Sequence, residues 1–290
     1  MIEAQKMSDG LYHSGVPIGD DPVPRLRQST ASLLVNDSPL HGWYKHFHEQ
    51  DEEFNSVTNR GQLCHALLLG GAEIVSIDAP DWRTKAAKEQ RDEAIAAGKI
   101  PVLTEKLADA NDLKASVDLG MKSRGIILDG WSEVSAIWTR LSGIRCQGRM
   151  DHFSKDRAKI YDFKFTQGSI AKSACERSMI SFGYDVQHAA YIDAIEHIIP
   201  ELAGKVTMDY IFVQVDPPYA MRVMPVGGTM RRLGEWKWAR ACEIWQECLE
   251  KYGIDTPWPS YADDGEPAEA PAWALNQELT DEVIREGGNL

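Results

Sequence analysis

The amino-acid sequence predicts an α/β domain: a central mixed β-sheet flanked by helices, with an α-rich N-terminal region. Three observations carry that expectation. Up to about residue 119 the chain is dominated by helix-forming segments. Then EVSAIWT, GIRCQGRMDHF and KIYDFKFT follow one another, rich in β-branched and aromatic residues and joined by short turns. A helical pattern, the apolar run VTMDYIFVQV and a second long helical pattern come after them. Strands interleaved with helices bury their faces under those helices, which is the layered plan of an α/β domain.

In chain order, residues 1–24 are expected to form an N-terminal arm. Ser29 is a candidate N-cap for a helix running towards Val35, and SPLHGWYKHF opens a second helix after Pro39. GQLCHALLLG is helix-like and mostly apolar, ending at Gly70–Gly71, and AEIVSI reads as a short strand. DWRTKAAKEQRDEAIAA is rich in strong helix formers and stops at Gly98, and a further helix covers roughly 104–119. After the three strands, SFGYDVQHAAYIDAIEHII predicts a helix and Arg231–Tyr252 another, whose Trp238, Trp245 and Leu249 form a core stripe. The main domain is expected over 25–262 and an acidic tail over 263–290, with a last short helix at TDEVIREGG.

The composition narrows the class. A 43% hydrophobic share over 290 residues suffices for a sizeable core. No apolar run is long enough to span a bilayer, and MIEAQKMSDG lacks the regions of a signal peptide, so a cytoplasmic protein with no membrane partner is expected. Cys64, Cys146, Cys175, Cys242 and Cys248 form no CxxC pair, so no iron–sulfur cluster is expected and the thiols read as buried packing groups. The net charge of −13 argues against nucleic acid, yet nine basic and four acidic residues leave Arg140–Arg177 at +5. Eight acids and one arginine give Asp263–Leu290 a charge of −7. Charge alone leaves a phosphate-binding centre and solvated surface equally open.

The chemistry concentrates in Gly148–Thr166. Residues i and i+2 of a strand share a side, so Asp162 and Lys164 project together while Tyr161, Phe163 and Phe165 face a buried layer. A turn through SKDRAK brings Asp151 alongside Asp162. Two adjacent carboxylates repel unless a proton or cation intervenes, and a hard divalent cation prefers such oxygen ligands. A neighbouring lysine can orient a water or, if its pKa is depressed, take its proton. The same residues also fit a surface salt bridge. On the following helix Tyr184, Gln187, His188 and Tyr191 recur at i, i+3, i+4 and i+7 and share a face.

Together these segments resemble the PD-(D/E)xK nuclease superfamily, and more closely its exodeoxyribonuclease VIII-like phage recombination exonucleases. GQLCHALLLG resembles that family's histidine-bearing helix, EVSAIWTRLSGIRCQGRMD its glutamate strand and first aspartate, IYDFKFT its Asp-x-Lys strand, and SFGYDVQHAAYIDA its Tyr/Gln helix. WRTKAAKEQRDEAIAAGKIPVL and WPSY extend the likeness to roughly residues 25–275. Met150 stands where the family's signature proline precedes Asp151.

The resemblance implies a restriction-endonuclease-like core with His65, Asp151, Asp162 and the Phe163 carbonyl as ligands of Mg²⁺, or alternatively Mn²⁺. It implies catalytic roles for Lys164, Glu133 and Gln187, and DNA contacts from Arg149, Tyr184 and Tyr191. The implied activity is 5′→3′ hydrolysis from the ends of double-stranded DNA, by a homo-oligomeric ring that supplies a single-strand annealing protein. An endonuclease of the same superfamily, or a non-catalytic DNA-binding protein on the same fold, is the alternative.

Overall fold

A computed structural model describes residues 24–49, 60–70, 73–154, 156, 158–261, 265 and 267–270. Its centre is a mixed six-stranded sheet. β1 (Leu26–Arg27), β4 (Trp131–Thr139), β5 (Arg145–Phe153), β6 (Lys159–Thr166), β7 (Thr207–Gln214) and β8 (Met221–Pro225) compose it. β4, β5 and β6 form an antiparallel meander, β7 runs parallel to β6, and β8 closes the far edge antiparallel to β7. β1 lies parallel to β5, with Leu26 opposite Cys146. A separate parallel pair, β2 (Ile74–Ile77) and β3 (Ile100–Leu103), lies outside this sheet.

Among the described residues, eight α-helices accompany these strands: α1 (Gln28–Asn36), α2 (Pro39–Phe47), α3 (Arg60–Leu69), α4 (Lys85–Ala96), α5 (Thr104–Lys122), α6 (Lys172–Ser181), α7 (Tyr184–Ile198) and α8 (Gly228–Tyr252). Local chemistry sets several of their ends. Ser38 caps α2 by accepting from the His41 N–H, with Pro39 in the first turn where its missing donor costs nothing. Thr84 accepts from the Ala87 N–H and so starts α4 after the expected Asp81.

Two apolar layers cover the sheet. One joins α1, α7 and α8 to β4 and β5 through Leu34, Trp138, Met150, Val186, Ala190 and Trp238. The other joins α3 and α5 to β6 and β7 through Cys64, Leu113, Val117, Phe163 and Ile211. Trp245 stacks against Phe47 and meets Trp258 edge-on at 5.3 Å, so the tryptophan stripe of α8 is core as expected. Removing such a ring costs about 3–5 kcal/mol. All five cysteines are buried.

The strand and helix order follows the sequence expectation, with four strands and helices and a short 3₁₀ turn at Pro200–Leu202 added. β3 contains Pro101, which argues against a strand in sequence but is tolerated in a two-stranded pair. β1 is too short to carry a periodic signal, β8 has only partly buried and exposed residues, and α6 presents a mostly polar face. The chain divides into two compact units, Met1–Trp258 and Pro259–Leu290. The described residues of the second unit lie in no helix or strand, and TDEVIREGG lies outside the described residues. Among the described residues no helix is long and apolar enough to cross a membrane.

Candidate active site

The site occupies a place where strand pairing opens on both edges of β5. Towards β4 the register runs Trp131 opposite Phe153 and Ser132 opposite His152, then resumes at Val134 opposite Met150. Glu133 and Asp151 are skipped between them. Glu133 has a φ of 53°, the left-handed region that a residue with a Cβ enters at a cost of about 1–2 kcal/mol. Towards β6 the pairing covers His152–Tyr161 and Phe153–Ile160, and then the strands part. In the opening, the Phe163 N–H donates to Asp151 Oδ2 at 2.8 Å rather than to a backbone carbonyl.

α3 brings His65 into that opening. Arg60, its first residue, donates to the Val215 carbonyl at 2.7 Å and pairs with Asp216 at 3.1 Å and Asp109 at 3.2 Å. These contacts tie the helix start to the end of β7 and to α5. One turn on, His65 Nε2 lies 3.1 Å from Asp151 Oδ2 and Nδ1 lies 3.5 Å from Glu133 Oε1. One donor atom each from His65, Glu133 and Asp151 falls within 4.8 Å of the others, a group that could hold a metal ion.

Asp162 and Lys164 stand beside this cluster as the i, i+2 spacing predicts, with Lys164 Nζ 2.5 Å from Asp162 Oδ1. α7 supplies the second partner, for Gln187 Nε2 donates to Asp162 Oδ2 at 3.1 Å. Gln187 also donates to the Tyr191 hydroxyl at 3.2 Å and accepts from the Tyr210 hydroxyl at 3.3 Å. Tyr191 is buried and donates to the Arg149 carbonyl, so it braces β5 rather than facing solvent. Gly148 makes that approach possible, since a Cβ there would stand 3.0 Å from the Tyr191 ring. Tyr184 covers Lys164, whose Nζ lies 4.2 Å from the ring centroid, and the Tyr210 ring centroid is 5.5 Å away. Arg149 Nη1 lies 4.0 Å from Glu133 Oε2.

The electrostatics are those of a place built for a cation. Burial pushes the Asp162 carboxyl up and the charge of Asp151 adds to it, to about 7, against the opposing pull of Lys164 and His65. Burial would also raise Asp151, but the hydrogen bond and charge of His65, with Lys164 and the Phe163 N–H, outweigh it and hold Asp151 low. For His65 burial works downwards, and Asp151, Glu133 and Asp162 together hold the imidazole above its ordinary value. Burial likewise opposes the Lys164 charge, and Asp162 and Asp151 win, keeping its ammonium above the ordinary lysine value. The upward shifts of His65 and Asp162 reflect the crowding of negative charge that a divalent cation would offset. Lys164 is an ammonium here, which favours orienting over proton abstraction.

Every sequence-predicted residue thus lies in one neighbourhood, with the roles redistributed. Glu133 joins His65 and Asp151 in the donor group, and Asp162 is engaged by Lys164 and Gln187. His188 leaves the shared face. Burial and the charge of Arg231 on α8 lower it to about 4, with Glu235 acting the other way. Tyr210 and Arg60 escaped the sequence reading. Tyr210 sits in the apolar run VTMDYIFVQV, where a hydroxyl is the sole hint of a polar role, and Arg60 acts across 155 residues of chain.

A mixed sheet with helices on both faces, and Asp151 meeting Asp162-x-Lys164 where two strands part, define a domain of the PD-(D/E)xK nuclease type. The chain belongs to the family described as "PDDEXK-like domain of unknown function (DUF3799)", which matches residues 34–252. Among solved structures it is similar to a "Putative exonuclease" from Eubacterium rectale, with a TM-score of 0.51 and 11% identity, covering 96% of this chain and 97% of that one. At that identity the likeness is one of fold. A phage related exonuclease from Haemophilus somnus 129PT is 13% identical over 65% of this chain and 94% of that one, with a TM-score of 0.31. No curated protein matches the chain.

Proposed function

We propose that the chain is a metal-dependent deoxyribonuclease that degrades linear double-stranded DNA from its ends, 5′→3′, in recombination. The observation that carries this reading is the donor group of His65, Glu133 and Asp151 set directly beside the Asp162–Lys164 pair. One imidazole nitrogen and carboxylate oxygens suit a divalent cation, Mg²⁺ with Mn²⁺ as the alternative, and the imidazole favours Mn²⁺ somewhat. His65, Asp151 and Glu133 would hold it, with Asp162 and the Phe163 carbonyl beside them. When bound, the cation supplies charge against a phosphoryl oxygen and makes water a better nucleophile at neutral pH.

The chain's own groups do the rest. Lys164 presents a fixed ammonium to the scissile phosphate and orients the attacking water, offsetting charge that develops in the transition state. Gln187 holds Asp162, and Tyr210 and Tyr191 hold Gln187. Arg149 and the basic span Arg140–Arg177 favour the phosphate backbone within an otherwise acidic chain. The likeness of the motif set to exodeoxyribonuclease VIII-like proteins supports a homo-oligomeric ring and an annealing partner for the single strand left behind.

The test incubates the purified protein with linear or covalently closed circular duplex in Mg²⁺ or Mn²⁺, beside Asp162→Ala and Lys164→Ala. Loss of linear DNA alone, abolished by both substitutions, is the expected result. Cleavage of circles would turn the reading to an endonuclease, and hydrolysis of neither form would leave a DNA-binding protein on a nuclease fold.

A further inference from the structure

We propose that Phe182 is a stacking platform for a base of the DNA strand that enters the site, so that the strand reaches Lys164 with that base unstacked from its duplex. The inference rests on the nuclease reading above and adds to it the form in which substrate is held. An exposed aromatic is by itself ordinary surface. Phe182, 67% exposed, is set apart by how it is held and by what it leads to.

The corner between α6 and α7 is pinned. The Phe182 N–H donates to the Ser178 carbonyl at 2.9 Å, and the Gly183 N–H to the Ile180 carbonyl at 3.2 Å. Gly183 has a φ of +68° and packs so closely on α1 that a Cβ would lie 2.1 Å from Ser32 Oγ. The backbone therefore fixes the direction in which the Phe182 side chain leaves the corner. That ring lies 5.8 Å from Tyr184 at 31°, and Tyr184 stacks on Tyr210 at 5.6 Å while covering the Lys164 ammonium. A column of rings thus runs from solvent to the catalytic lysine, and its outermost member is largely uncovered. Sites that hold single strands combine a cation for the phosphate with an aromatic face for the base, and here one ring separates the two.

The test uses oligonucleotides with 2-aminopurine at successive positions from the 5′ end, bound in EDTA so that no hydrolysis occurs. Wild type and Phe182→Trp should quench the probe at one position. Phe182→Ala should not, and should bind about 5- to 100-fold more weakly with an unchanged melting temperature. In Mg²⁺, kcat/KM on linear DNA should fall by a similar factor in Phe182→Ala and recover in Phe182→Trp. Equal quenching in wild type and Phe182→Ala, or none in either, overturns the proposal even if DNA is hydrolysed normally. Phe182-dependent quenching without any hydrolysis would keep the platform and remove the nuclease reading.

Discussion

Asp162 and Asp193 are both well-covered carboxylates against the same helix, and they live in opposite surroundings. Asp193, on α7 itself, accepts from the indole N–H groups of Trp138 at 2.8 Å and Trp238 at 3.2 Å. Arg140 lies 3.5 Å away and His197 3.4 Å away. Both indoles and Arg140 converge on its Oδ2, and it ties β4, α7 and α8 together. Asp162 is 1% exposed and has Lys164 and Gln187, but it also faces Asp151. A buried carboxylate surrounded by donors is settled, whereas one beside a second carboxylate stays unsettled until a proton or a metal arrives. Burial alone does not mark a functional acid; its neighbours do.

Exchanging the charge at each site sharpens that contrast. Asp162→Asn should lower nuclease activity by about 10²–10³-fold or more, because charge stabilisation around the phosphate is lost. Its folding stability in EDTA at pH 7 should not fall, since a like-charge contact goes with it. A urea melt showing a loss would place Asp162 with Asp193. Asp193→Asn should do the reverse and cost about 1–3 kcal/mol of stability, by weakening its hold on Arg140 and the two indoles. Activity measured well below its melting temperature should remain.

The pH dependence separates the two further. Asp162 has a folded pKa raised to about 7. Its contribution to stability is therefore fully present below the unfolded value near 3.8 and is lost as pH rises towards 7. The advantage of Asp162→Asn over wild type in EDTA should grow through that window by up to about 1.4 kcal/mol per pH unit, and saturating Mn²⁺ should erase it. A flat difference between the two melting curves would mean the crowding is absent. Buried His188, lowered to about 4, acts with opposite sign. Its contribution is present above pH 6.5 and lost as pH falls towards 4, so His188→Gln should flatten the acid limb of the stability curve.

Backbone strain gives the smallest effect. Glu133→Gly should be about 1 kcal/mol more stable than Glu133→Ala in chemical melts, because glycine adopts φ 53° without penalty. Equal stabilities would mean that the turn relaxes once the carboxylate is gone.

Much of this was legible in local pattern. The meander, the shared side of Asp162 and Lys164, the buried Phe163 and the polar side of α7 all follow from periods of two and 3.6 residues. α6, β3 and β8 were hidden, because a polar face, a proline and an exposed edge give the period nothing to act on. The Phe182 corner was equally silent, since only packing against Ser32 shows that position 183 must be glycine.

The chain by itself determined which strand or helix presents each candidate side chain and on which side, because neighbours along the chain set those directions. Tertiary structure alone decided that pairing lapses at Glu133 and Asp151, that Arg60 delivers His65 to the gap, and that burial beside Asp151 pushes the Asp162 carboxyl up. Those outcomes depend on burial and on charges that meet through space, and neither is set by spacing along the sequence.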